Sequence, residues 1–106
     1  MRVTIHQQKG KHVTLKIEGS VAGLEVPELH RVWGDLAPSL GEKMLRVDLR
    51  GVTHVDGNGR NLLAEIHART GAEFLADTPL TKYFAEEAQH GIRTGSDQDI
   101  DLRRQS

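Results

Sequence analysis

The 106-residue chain contains no cysteine, which excludes a disulfide framework and a thiolate metal site. It carries no surplus of either charge: 14 basic residues stand against 15 acidic ones, a formal net charge of −1. A dedicated nucleic-acid binder carries a basic excess, so nucleic acid is set aside as a partner. No apolar run approaches the roughly 20 residues needed to cross a bilayer. The opening stretch MRVTIHQQKGKH lacks the apolar centre of a secretory signal. Internal repeats and low-complexity tracts are also missing. These absences lead to the expectation of one cytoplasmic domain with a single core and no direct membrane insertion. Docking of such a domain on an integral membrane protein stays open.

What is present is periodicity. Residues 1–8 alternate, with Met1, Val3 and Ile5 on one side and Arg2, Thr4 and His6 on the other. A KGK turn follows, and HVTLKIE alternates again with Val13, Leu15 and Ile17 inward. The pattern predicts a β-hairpin in a sheet covered on one face. Its first strand, RVTIHQ, is a candidate edge for pairing with a second copy. From Val26 the spacing becomes helical: Val26, Leu29, Trp33, Leu36 and Leu40 fall on one stripe, with a start near Pro27. Gly34 and Pro38 argue against its second half. EKMLRVDLRGV predicts a third strand, Leu62, Leu63 and Ile66 a second helix ending near Gly71, and AEFLA a short fourth strand. Asp77 or Thr78 is positioned to cap a third helix, with Pro79 first inside it. Leu80, Tyr83, Phe84 and Ala88 form its expected core stripe. The order is ββαβαβα, with right-handed crossovers. The fold class expected is α/β, in the form of an α+β sandwich: a mixed four- to five-stranded sheet with helices mainly on one face. RTGSDQDIDLRRQS at 93–106 holds two large apolar side chains and is expected to be a polar, frayed tail, within which DIDL could add an edge strand.

The stretch HVDGNG, residues 54–59, joins the third strand to the second helix and reads as a sharp turn. Four chemistries compete for it. A dinucleotide fingerprint needs a third small residue where Leu62 stands. A calcium loop needs an oxygen ligand where Arg60 stands, and a glutamate further on. Catalysis by His54, Asp56 and His67 lacks a serine or cysteine nucleophile in the motif, and scattered histidines are mostly surface residues. The fourth is recognition by a helix N-terminus, with free N–H groups at residues 57–60 and Asp56 as cap. The plain alternative is that Asp56 only caps and the glycines only turn. No metal or cofactor is expected.

Around this junction, MLRVDLRGVTHVDGNGRNLLAEIHARTGAEFLA resembles the core of STAS domains, the fold of anti-sigma factor antagonists and of sulfate-transporter tails. Asp48 matches the family's strand-end aspartate, Val55 its apolar residue, and Asp56 and Gly59 the outer members of its D-S-S-G box. LKIEGSVAG, TGAEFLA and TPLTKYFAEEAQHGI are similar to flanking elements, so the resemblance covers roughly residues 12–92. It implies one STAS-like domain over 1–92, followed by the tail 93–106. It also implies a non-enzymatic, regulatory protein-interaction module whose partner is a kinase-like anti-sigma factor. The implied partner-binding residues are Asp56, Gly57, Asn58, Gly59, Arg60 and Asn61. The family's first serine, phosphorylated by the partner kinase to break the complex, is Gly57 here, and the second is Asn58. Neither has a hydroxyl, so that switch cannot operate at this position, and Thr53 lies on the wrong side of Asp56 to replace it. Taken alone, Arg60 reads as a solvated helix arginine, and Trp33, Tyr83 and Phe84 read as core. Two further roles known in the family remain alternatives: a soluble accessory subunit of a membrane transporter, including bacterial lipid-transport ATPases, and a small-ligand (nucleotide or lipid) sensor. No phosphate-binding lysine motif supports the last.

Overall fold

Seven elements make up the computed structural model, which describes residues 1–7 and 10–90. They are β1 (Arg2–Gln7), β2 (His12–Val21), α1 (Glu25–Leu40), β3 (Met44–Val55), α2 (Gly57–Thr70), β4 (Glu73–Leu75) and α3 (Pro79–His90). The expected order ββαβαβα is observed. The expectations for the tail 93–106 and for a DIDL strand lie outside the described residues.

The strands form one sheet in the order β1-β2-β3-β4. β1 runs antiparallel to β2, and β2–β3 and β3–β4 are parallel. Both parallel steps move one strand in the same direction, so right-handed crossovers put α1 and α2 on the same face. Val13, Leu15 and Ile17 of β2 and Leu45, Val47 and Leu49 of β3 point toward that face and are buried. They join Leu29, Trp33, Leu62, Leu63, Ile66 and Phe84 in one core cluster. The opposite face carries Lys16, Arg46, Asp48 and Arg50, and alternation along each strand produces this division.

Several expectations need correction. α1 begins at Glu25, two residues before Pro27, and its second half is helical through Leu40 despite Pro38. Leu36 and Leu40, both buried, hold the last turn on the core. β3 extends three residues beyond the expected stretch, to Val55, so Asp48 lies in mid-strand and not at a strand end. In α3, Leu80 and Tyr83 are each 48% exposed, and the core face is Thr81, Phe84, Ala85 and Ala88. Thr78, not Asp77, caps this helix. The Thr81 N–H donates to Thr78 Oγ1 at 3.0 Å and the Thr78 N–H donates to Thr81 Oγ1 at 3.0 Å. This reciprocal pair is a capping box with threonine in the place of the usual glutamate, and it lets a polar Thr81 be buried.

Candidate functional site

The junction after β3 forms the first turn of α2. Asp56, in extended backbone, is its N-cap. The Gly59 N–H donates to Asp56 Oδ1 at 2.8 Å. The other oxygen, Oδ2, accepts from the Gly23 N–H at 2.9 Å, across 33 residues of sequence. One carboxylate therefore caps α2 and ties the β2–α1 loop (residues 22–24) to it. The Gly23 N–H first, and the Gly59 N–H second, hold the Asp56 carboxyl below the usual carboxylate range, with a smaller contribution from nearby His54. The expected row of free N–H groups is shortened, because Gly59 serves the Asp56 side chain and the Arg60 N–H donates to the Asp56 carbonyl at 2.9 Å. With a carboxylate already at its positive end, this helix has little left to offer a ligand anion.

The glycines are not there to turn the chain sharply. Neither Gly57 nor Gly59 is among the positive-φ glycines, which include Gly23 at +60°. Gly59 is buried on the inner side of the first turn of α2, and a Cβ there would fall 2.4 Å from the Val21 carbonyl oxygen and 2.9 Å from Val55 Cγ1. It permits close approach of helix and sheet and shapes the surface from beneath. Gly57 is exposed, and a Cβ added to it would meet nothing within 4 Å.

The six expected contact residues separate into distinct positions. Gly57, Asn58 and Asn61 are exposed. Arg60 turns toward α3, where its Nε lies 3.5 Å from Glu87 Oε1. Asn58 and Asn61 turn toward α1 and border a groove of about 500 Å³ that also includes Val26, Pro27, His30 and Glu65. His30 Nε2 and Glu65 Oε2 stand 4.0 Å apart across it. His67 belongs elsewhere: its ring is 6.1 Å from that of Phe74. Eleven residues of helix, about 16 Å, separate it from Asp56, so the His54, Asp56 and His67 trio is not brought together. Among the described residues, no group of three histidine or acidic side chains is arranged to hold a metal.

Leu24 was not among the expected site residues. It occupies the N-cap of α1 with no side-chain cap bond and is 93% exposed. Small polar residues are favoured at that position. Its signal was in the sequence, because Leu24 falls off the Val26, Leu29, Trp33 stripe and so points away from the core.

A second polar cluster lies on the open face of the sheet. Asp48 is 4% exposed, and Arg50 embraces it: Nε donates to Oδ1 and Nη2 to Oδ2, each at 3.0 Å, and the Arg50 N–H also donates to Oδ1 at 3.0 Å. The guanidinium bonds hold the Asp48 carboxyl below its ordinary range, against the opposing effect of burial. Every acceptor direction used here points at its own neighbour, so the pair closes on itself.

No protein-family model matches the chain, and no curated protein matches it. A solved structure described as "Crystal Structure Analysis of Mglu" is similar over 72% of this chain, with a TM-score of 0.54 and 23% sequence identity. This chain spans 19% of that one. At that identity the likeness is one of fold, extending over most of this chain and a small part of a longer protein.

Proposed function

We propose that the chain is a non-enzymatic, STAS-like protein-docking module. It offers a partner the surface made by the β2–α1 loop, the first turn of α2 and the groove between α1 and α2. The observation that carries this reading is Leu24, a large apolar side chain 93% exposed at a capping position, next in the chain to Gly23, which lines that groove. A leucine so placed contributes nothing to the core, whereas an apolar anchor next to a concave surface is what a protein interface uses. Asp56 supports the reading because both its oxygens accept backbone N–H groups, which suits a fixed clamp better than a proton carrier. Gly57 has no hydroxyl, so a kinase acting at this residue cannot regulate the complex. The partner class favoured is a kinase-like anti-sigma factor, and the alternative is a transporter for which the chain is an accessory subunit.

The test is capture from native lysate with four baits: the wild-type chain, Leu24→Asp, Gly57→Asp and Lys82→Glu, the last on an exposed position of α3. Recovery of a kinase-like protein by the wild type and Lys82→Glu, lost with Leu24→Asp and Gly57→Asp, supports a regulatory adaptor docking through this surface. The same pattern with a transporter supports an accessory subunit. Equal recovery by all four baits moves the interface elsewhere and overturns the reading.

A further inference from the structure

The two edges of the sheet differ. β4 is three residues long, its Glu73 pairs with Arg46 of β3 at 3.1 Å, and α3 packs on both β3 and β4. β1 is six residues long and pairs with β2 in unbroken register. Among the described residues, the outer row of its N–H and C=O groups has no partner. Proteins blunt such edges with proline, a bulge or a charge turned toward the covered face. RVTIHQ has none of these. Its row on the helix side is Val3, Ile5 and Gln7, opposite Ile17, Leu15 and Val13, and Ile5 is 41% exposed.

We propose that β1 pairs antiparallel with β1 of a second copy, forming a continuous eight-stranded sheet about a two-fold axis at Ile5. The register follows from parity and side-chain fit. Residues directly opposite in an antiparallel pair point to the same face, so the axis must pass through a residue. Centring on Thr4 sets the guanidinium of Arg2 directly against the His6 ring, two bulky side chains that gain no complementary partner. Centring on Val3 leaves only Arg2 to Thr4 paired within the strand. Centring on Ile5 pairs residues 3 to 7, setting Val3 against Gln7 and Thr4 against His6. It leaves Arg2 outside the ladder and covers the exposed Ile5 with its own copy. A second copy is the occupant that fits, because the edge is self-complementary in hydrogen bonding and in this register also in side chains. A five-residue ladder falls well below the roughly 1,200 Å² of a standard interface, so the dimer is weak and forms at high concentration.

The experiment uses the full chain. Sedimentation equilibrium up to about 0.5 mM is expected to show a monomer–dimer equilibrium for the wild type and a monomer for Ile5→Lys, which sets two ammonium groups across the axis. Because the chain lacks cysteine, Ile5→Cys and Gln7→Cys give a clean second readout under oxidised glutathione. The thiol of Ile5→Cys faces its own copy within disulfide reach, whereas that of Gln7→Cys stands four residues out of step with its copy. Dimer cross-linking at position 5 is expected to be at least about tenfold faster than at position 7. A wild type that stays monomeric over this range, a dimer that survives Ile5→Lys, or equal cross-linking at both positions overturns the proposal. The cross-linking comparison decides the matter if Ile5→Lys fails to fold.

Discussion

A methyl group at residue 59 would fall 2.4 Å from the Val21 carbonyl oxygen, while one at residue 57 would meet nothing within 4 Å. Gly59→Ala is therefore expected to lower stability by about 1–3 kcal/mol through overpacking. Gly57→Ala and Gly57→Ser are expected to change it by less than about 0.5 kcal/mol. Urea unfolding of the three variants beside the wild type checks both statements, and equal losses at 57 and 59 would contradict them. The sequence alone could not separate these residues, because spacing shows that two glycines flank Asn58 and not what approaches them. Asp56 was legible as a cap from its type and place. Its second bond, to the Gly23 N–H, joins positions 33 apart and has no local signature. Asp56→Ala is expected to lower the melting temperature and to speed amide exchange at Gly23 as well as in the first turn of α2. Exchange changes confined to residues 57–60 would mean that the loop is held by something else.

At the scale of the element, periodicity located every strand and helix, and the errors came where a second effect outweighed it. In α1 the two buried leucines, Leu36 and Leu40, anchor the last turn on the core and offset the cost of Pro38. In α3 the core stripe is rotated from the expected one. Leu80 and Tyr83 are apolar enough to suggest core, yet the capping pair of Thr78 and Thr81 fixes the first turn so that Thr81 faces inward. β3 carries the paired Asp48 and Arg50, from which a pH dependence follows. The folded-state pKa of Asp48 is lowered, chiefly by the Arg50 guanidinium, and that of Asp56 by the Gly23 N–H. A carboxyl of this kind stabilises the fold fully above its unfolded value near 3.9. That stabilisation is lost as pH falls through the lower folded value. Urea midpoints are thus expected to be level at neutral pH and to decline below about pH 4. Asp48→Asn should start lower at neutral pH and decline less steeply in acid. A parallel decline of wild type and variant would show that Asp48 has no part in it.

For the whole molecule, the described residues bury one apolar cluster, to which both sides of the sheet order and all three helices contribute. Trp33, 3% exposed, sits in it. Unfolding should be a single cooperative event, with the loss of helix by circular dichroism and the change in tryptophan emission tracing the same curve. Separate midpoints would mean that the α1 side and the α3 side unfold independently. This architecture was the most legible part of the chain, since two crossovers of fixed hand leave few ways to arrange ββαβαβα. The surface was less legible, because an exposed leucine such as Leu24 is defined by what it does not touch. The bond from Gly23 to Asp56 has a practical outcome as well. A hydrogen bond to a carboxylate moves an amide proton downfield, so the Gly23 signal is expected to serve as a spectroscopic reporter of this bond. It can be followed in a proton–nitrogen spectrum without any attached label. A binder that rests on Leu24 and leaves the clamp closed will nudge that signal, whereas one that levers the β2–α1 loop away from α2 will send it back among the ordinary glycines.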